Sequence, residues 1–366
     1  MIIKSIKIFN FKNIENFESE FSSNINCFSG KNGVGKTNIL DAIHYLSFSK
    51  SYFNTLDLKN IRHGEEFFAI HGSYEHNQKC DNISCIQRVN QKKQLIVNDK
   101  PYKKFADHIG KYPLIMISPY DRDLINLGSD VRRKFADMVI SQFNQEYLVT
   151  LIQYNKVLLQ RNNLLRQFYD NNYVDATLIE LLNEQLVKCG MFIYDERKKF
   201  FTELLPVFQY YFNIISNSQE RVNLEYVSQL NNHDFMQQLC EAFDKDKILK
   251  YTTVGVHKDD VTFYINDYSV KNYASQGQQK SFTIALKLAQ FDYIKTHKLV
   301  NPILLLDDIF DKLDDLRVAK IIELVGSEKF GQVFITDTNA DRVEMLLSTI
   351  NGQGLHFKIG RNGNKQ

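Results

Sequence analysis

No run of this sequence approaches the ~18 apolar residues of a membrane span, and the opening Met1-Ile2-Ile3-Lys4-Ser5-Ile6-Lys7-Ile8-Phe9 alternates apolar and polar residues like a strand, not a signal peptide. No membrane association is expected. Cysteine is scarce. The five residues Cys27, Cys80, Cys85, Cys189 and Cys240 are odd in number, scattered and without a C-x-x-C pair, which is the pattern of reduced thiols in a cytoplasmic protein. The cluster His71, His76, Cys80 and Cys85 fits no common zinc spacing, so no metal is expected there. Excess charge of one sign is also missing. A net charge of +2 is too small to argue nucleic-acid binding by itself, and local basic patches would have to carry any such contact. Low-complexity tracts are absent as well, and 43% hydrophobic with 24% charged residues is the balance of a soluble globular chain. At 366 residues the chain exceeds the ~250–300 at which a single core stops growing, so two lobes are expected.

Against these absences stands one dense motif. Residues 30 to 37 read Gly-Lys-Asn-Gly-Val-Gly-Lys-Thr, a full G-x-x-x-x-G-K-[ST] phosphate loop. It lies between the apolar strand Ile25-Asn26-Cys27-Phe28 and a helix from about Lys36, in which Leu40, Ile43 and Leu46 recur at helical spacing. Gly30, Gly33 and Gly35 leave room for backbone N–H groups to wrap phosphate, and the positive end of the helix dipole points at the same charge. The expected nucleotide contacts are Gly30, Lys31, Asn32, Gly33, Val34, Gly35, Lys36, Thr37 and Asn38. Lys36 would reach the β and γ phosphates, and the Thr37 hydroxyl would ligate Mg²⁺, a hard cation that prefers oxygen. No N-K-x-D guanine-reading motif follows the loop.

Residues 1 to about 118 read as α/β, with strands at 2–9, 17–21, 25–28, 67–74, 95–97 and 114–117. From about 120 to 250 the pattern is mainly helical: Leu178, Leu181, Leu182, Leu186, Cys189 and Ile193 keep a 3-and-4 spacing, without the sustained heptads of a long coiled coil. Past about 255 the alternation returns, with a strand at 261–265, a helix from Gln278, a run at 303–306, a helix from Asp315 and a strand at 332–336. The first and third segments are expected to form one nucleotide lobe, with the helical lobe inserted.

Ile303-Leu304-Leu305-Leu306-Asp307-Asp308 reads as a buried parallel strand ending in two acids, a Walker B pattern. Ligands of open α/β sheets sit outside the carboxyl ends of strands, so Asp307 would hold Mg²⁺ and Asp308 would orient or deprotonate the attacking water. Upstream, Ser275-Gln276-Gly277-Gln278 opens a helix with the S-x-x-Q spacing of a capping box. Gly277 in the first turn lowers helix propensity, and close approach of an anion to the helix start would explain its presence. A serine-and-glycine helix start ahead of Walker B is similar to the signature loop of ABC-type ATPases, L-S-G-G-Q, with Ala274 and Gln276 in place of the leucine and first glycine.

Over essentially the whole chain these elements resemble the RecF family of bacterial recombination mediators. Ile8-Phe9-Asn10-Phe11-Lys12-Asn13-Ile14 looks like the family's F-R-N stretch, with Lys12 for arginine. Gly255-Val256-His257-Lys258-Asp259-Asp260 is similar to G-P-H-R-D-D, and Ala274-Ser275-Gln276-Gly277-Gln278-Gln279 matches A-S-Q-G-Q-Q, the most specific element. Leu305-Leu306-Asp307-Asp308 carries Asp-Asp in place of Asp-Glu, and Gln160-Arg161-Asn162 and Glu184-Gln185-Leu186 look like landmarks of the helical lobe. Asp311-Lys312-Leu313-Asp314 departs from S-E-L-D but keeps the Leu-Asp of the loop that crosses the dimer interface, the D-loop, with Asp314. Thr336 and Thr338 occupy the region where transporter ATPases place a switch histidine, so no histidine role carries over.

The resemblance implies an α/β fold, an ABC-type P-loop ATPase head with mixed sheets, in which residues 1–118 with 255–366 form the ATP-binding lobe and 119–254 the inserted, mainly helical lobe. It implies an ATP-dependent homodimer, two chains meeting head to tail so that each ATP lies between Lys36 of one and Ser275, Gln276, Gly277 and Gln278 of the other. It further implies weak, slow ATP hydrolysis, with Lys36 and Asp308 as catalytic residues and ATP and Mg²⁺ as cofactors. Double-stranded DNA and gap junctions are the expected ligands, with RecR and RecO as partners in recombinase loading. Lys12, Lys50, Lys103, Lys104, Arg132, Arg133 and Lys134 are expected to contact DNA phosphate. Competing readings are a nucleotide-switched, SMC-like protein scaffold without DNA binding, which direct DNA titration separates, and an ABC transporter subunit, which would need a membrane partner and normally a switch histidine.

Overall fold

The apolar runs Ile25–Ser29, Leu114–Ile117, Ile303–Asp307 and Val333–Asp337 are buried at every position, as strands covered on both faces of a parallel sheet must be. They belong to a computed structural model that describes residues 1–171, 176–216, 220–231, 234–310, 313–349 and 354–363. Along the chain the elements are β1 (Ile2–Phe11), β2 (Ile14–Glu20), β3 (Ile25–Ser29), α1 (Lys36–Phe48), β4 (Phe67–His76), β5 (Lys79–Arg88), β6 (Gln94–Val97), β7 (Lys100–Pro101) and β8 (Leu114–Ile117). Helices α2 (Asp123–Asn126), α3 (Ser129–Phe143), α4 (Gln145–Asn171) and α5 (Ala176–Ser216) follow, then β9 (Val222–Val227), α6 (Phe235–Glu241), α7 (Phe243–Leu249), β10 (Asp260–Ile265), β11 (Tyr268–Ser269) and α8 (Val270–Tyr273). The remainder runs α9 (Gln276–Lys298), β12 (Ile303–Asp307), α10 (Asp315–Val325), β13 (Val333–Asp337), α11 (Ala340–Thr349) and β14 (Gly354–Lys358).

The chain divides into two units, the first made of Met1–Asp121, Tyr211–Asn217 and Lys280–Gln366. Its centre is a five-stranded sheet in the order β14-β3-β13-β12-β8, parallel throughout. An aromatic ladder ties three of these strands: Phe28 on β3 stacks on Phe357 of β14 at 5.2 Å and on Phe334 of β13 at 6.4 Å. The second sheet, β2-β1-β4-β5-β6-β7, is antiparallel and alternates buried and exposed residues. Gln332 joins the two sheets, accepting from the N–H of Ile3 and donating to the carbonyls of Ile3 and Ser22. Strands β5 and β14 escape the sequence reading because neither carries an apolar run; Lys79–Arg88 buries only Ile83, Cys85 and Gln87. Cys80 is exposed and Cys85 buried, while His71 shares a hydrogen bond with Ser84.

The second unit comprises Arg122–Tyr210 and Ser218–Gln279, so it extends past the expected boundary at 254. The reason is a three-stranded antiparallel sheet, β11-β10-β9, in which β10 pairs back onto β9 from the otherwise helical segment and carries β11 on its other edge. Its helices enclose buried ion pairs. Arg161 on α4 is 0% exposed and donates to Asp246, Asn183 and Thr252, and Asn162 accepts from Thr252 through both its N–H and hydroxyl. The segment Gly255–Asp260 is held by its side chains: His257 shares a hydrogen bond with Tyr154, Asp259 pairs with Arg197 and accepts from Tyr226, and Asp260 takes Arg132. Among the described residues no helix is long and apolar enough to cross a membrane.

Candidate nucleotide site

The phosphate loop leaves β3 at Ser29 and enters α1 at Lys36, which puts it at the carboxyl edge of the parallel sheet. Two glycines are required there. Gly30 lies so close to the end of the chain that a Cβ would come within 2.4 Å of the Ile359 carbonyl oxygen, and Gly35, at φ +115°, would bring one to 3.0 Å from the Asn13 side chain. The loop is braced from outside: Asn13 donates to the Gly33 carbonyl at 3.0 Å and accepts from Asn38 at 2.7 Å, while the N–H of Gly363 reaches the Val34 carbonyl at 2.9 Å. Lys31, Asn32 and Gly33 face solvent on the loop's open side.

Lys36 is 7% exposed, and its ammonium donates to the carbonyls of Gly30 at 2.7 Å and Lys31 at 3.0 Å. Burial holds its pKa below the usual lysine value, against the opposing pull of Asp308, Asp307 and Asp337. The Thr37 hydroxyl donates to Asp307 at 2.8 Å, so the loop and the tip of β12 are in direct contact. Burial pushes the Asp307 carboxyl up, while hydroxyl donors from Thr336 and Thr37 favour its charged form. Asp308 stands at φ +48°, its N–H bonded to the Thr336 hydroxyl at 3.0 Å. An open cleft is lined by Asn32, Gly33, Gly35, Lys36, Thr37, Asn38, Asp307, Asp308 and Thr336. A ring of backbone N–H groups at a helix start, a lysine and two adjacent hard oxygen donors can hold a polyphosphate with a divalent cation. Thr37 and Asp307 could take the metal and Lys36 the phosphates.

Two residues of this constellation were missed by the sequence reading in any nucleotide role: Asn13 and Thr336. Asn13 entered only as part of the F-R-N-like stretch and Thr336 only as a place in the switch region, and the partners of both are distant in the chain.

The other candidates fall elsewhere. In the second unit Ser275 and Gln278 form the reciprocal cap their spacing suggests: the Ser275 N–H donates to the Gln278 side chain at 2.7 Å and the Gln278 N–H to the Ser275 hydroxyl at 3.2 Å. Helix α9 therefore begins at Gln276, ahead of the expected Gln278, with Ser275 and Gln276 exposed and Gly277 in the first turn. Asp314 caps α10 by accepting from the N–H of Arg317, while Asp311 and Lys312 lie outside the described residues. Of the cations expected to meet DNA, Lys50, Lys103, Lys104 and Lys134 are exposed. Lys12 and Arg132 are not available for that role. The Lys12 ammonium is 2.6 Å from the buried Asp41, and Arg132 grips Asp260 with two nitrogens at 2.6 and 3.0 Å; each side chain is little more than a tenth exposed. Pulling either onto phosphate would strand a carboxylate, so both are withdrawn from the DNA set. Arg133 is half-buried and donates to the Asp259 carbonyl.

Residues 2–352 match the profile of the RecF/RecN/SMC N-terminal domain. The chain is 50% identical to the DNA replication and repair protein RecF of Flavobacterium johnsoniae, covering 95% of this chain and 97% of that one. It is 47% identical to the protein of the same name from Phocaeicola vulgatus, covering 98% and 96%. Among solved structures it is similar to the recombination mediator protein RecF with ATP, of the RecFOR pathway, at a TM-score of 0.90 and 29% identity over 100% of this chain and 96% of that one. An Smc head domain from Pyrococcus furiosus shares the fold at a TM-score of 0.57 and 14% identity, covering 100% and 95%. With about half its residues shared with full-length relatives and with the same ATPase-head fold, the chain belongs to the RecF family.

Proposed function

We propose that this chain is an ATP-dependent, DNA-binding homodimer that acts in DNA replication, repair and recombination at single-strand gaps, with slow ATP hydrolysis resetting it. The observation that carries the reading is the 2.8 Å contact between Thr37 and Asp307, which joins the phosphate loop to the Walker B strand in one cleft. The similarity to RecF with ATP supports the choice of nucleotide.

In this reading the loop from Gly30 to Asn38 holds the polyphosphate through its N–H groups, and Lys36 turns from the Gly30 and Lys31 carbonyls to the β and γ phosphates. Thr37 and Asp307 would hold Mg²⁺, which would neutralise charge on the phosphate oxygens. Asp308 accepts the proton of the attacking water. Its carboxylate is one methylene shorter than a glutamate's, which suits slow turnover and a timed clamp. Ser275, Gln276, Gly277 and Gln278 of a second copy close on the γ-phosphate with the positive end of α9, so that nucleotide joins the dimer and hydrolysis releases it. Asp314 belongs to the loop crossing that interface.

DNA contact is assigned to Lys50, Lys103, Lys104, Arg133 and Lys134, which would position duplex without reading sequence. RecR and RecO are the proposed protein partners in recombinase loading, a reading supported by the RecFOR setting of the similar structure. The test is binding to a duplex with a single-strand junction, with ATP and then ADP, at rising salt. Binding that needs ATP and weakens with salt is expected. Equal or absent binding in both nucleotide states would overturn the DNA role in favour of a nucleotide-switched protein scaffold.

A further inference from the structure

We propose that Thr336 is a positioning residue that aims both carboxylates of the Asp307–Asp308 pair, so that a hydroxyl on the neighbouring strand sets metal affinity and turnover at the site. The inference rests on the ATP-hydrolysing reading above and gives a role to a threonine that the sequence reading placed in the switch region without assigning it one.

Thr336 is 0% exposed on β13, and its hydroxyl oxygen makes two contacts, 2.7 Å to a carboxylate oxygen of Asp307 and 3.0 Å to the backbone nitrogen of Asp308. A backbone N–H can only donate, so the hydroxyl accepts from Asp308, and its single proton is left for Asp307. Both directions are thereby fixed by the inventory of donors and acceptors. The same Asp307 oxygen receives the Thr37 hydroxyl at 2.8 Å. The two donors differ in duty. Thr37 is the candidate metal ligand and its hydroxyl is shared with the cation, whereas Thr336 stands behind the carboxylate on an adjacent strand and holds it whether or not metal is present.

The second contact acts on the chain itself. Asp308 adopts a left-handed conformation that few residues other than glycine take, and its N–H is held by Thr336 through the hydroxyl and, at 3.3 Å, the carbonyl. That turns the backbone out of β12 directly after Asp307 and places Asp308 on the wall of the cleft that Lys36 and Thr37 also line. One side chain thus orients both the metal-side acid and the water-side acid. Valine would keep the shape, the fit to a strand and the backbone carbonyl's hold on Asp308 but neither hydroxyl contact, and serine would keep both hydroxyl contacts.

The experiment compares wild type with Thr336→Val, Thr336→Ser and Thr336→Ala in the full chain, reading three quantities: ATP affinity without metal, the factor by which Mg²⁺ tightens ATP, and kcat. A residue that orients a metal ligand typically alters metal affinity or activity by about 10–100-fold, so Thr336→Val should lower the Mg²⁺ factor and kcat by about tenfold or more, with metal-free ATP binding within about twofold of wild type. Thr336→Ser should restore both to within about threefold of wild type. A Thr336→Val protein with a wild-type Mg²⁺ factor overturns the inference, as does a Thr336→Ser protein as impaired as Thr336→Val. If Thr336→Val does not fold, the serine and alanine variants carry the same comparison. A purely structural threonine would lower the melting temperature and leave the Mg²⁺ factor unchanged. Failure of the parent reading looks different: wild type itself would bind no ATP, and the inference would fall with it.

Discussion

Asp308 projects into the cleft from a backbone held at φ +48°, and exchanging its carboxylate for an amide keeps the shape while removing the base. Asp308→Asn should bind ATP and accumulate as the nucleotide-bound dimer, with phosphate release reduced by about 100-fold or more. Release at the wild-type rate would take the water-side role away from this residue. Asn13 acts on binding instead. Its side chain is the shared partner of Gly33 and Asn38, so Asn13→Ala loosens the loop and should weaken ATP by about five- to tenfold, the worth of one net hydrogen bond, measured by calorimetry. Lys36 and Thr37 could be anticipated as a pair because the phosphate chemistry fixes their order in one short motif. Asn13 and Thr336 could not, because their hydrogen bonds join residues that only the folded sheet brings together, and no local pattern of residue types encodes such a distance.

Helices α4, α5 and α7 are pinned by one buried charge. Arg161 and Asp246 are both 0% exposed and 2.7 Å apart, in a setting where a lone carboxylate would have no solvent to stabilise it. Arg161→Met should therefore lower stability by about 3–5 kcal/mol in urea titrations, while a double replacement of Arg161 and Asp246 by apolar residues should recover most of the loss. Had Arg161 been a DNA-contacting residue on a helix face, the single change would leave stability within about 0.5 kcal/mol. The elements themselves were legible where burial is complete: β3, β8 and β12 announce themselves as apolar runs, and α1 by its helical spacing. Half-polar β5 was hidden, and so was the pairing of β10 with β9, which moves residues 260–269 into the second unit. The 255–260 stretch enters the sequence reading only as a family resemblance with no role attached, and in the structure its acids are spent on Arg197 and Arg132.

Across the first unit, stability is tied to pH through histidines kept neutral. His44 and His108 are buried, and burial lowers each pKa to about 4 from an ordinary value of 6.5. Both take up a proton more readily when unfolded, so their contribution is complete above about pH 6.5 and is lost as pH falls towards 4, at about 1.4 kcal/mol per pH unit for each. The urea midpoint, followed by tyrosine fluorescence since the chain has no tryptophan, should drop between pH 6.5 and 4.5. A flat midpoint over that range would show that these histidines are charged in the folded protein. The strand order has a consequence for synthesis. The phosphate loop hangs from β3, whose neighbours in the sheet are β13 and β14. Both lie far downstream of the loop, so a chain made only as far as Gln332 carries the loop residues but neither strand that flanks β3. The loop should therefore take its binding shape only after both flanking strands have been made, however early its own residues emerge.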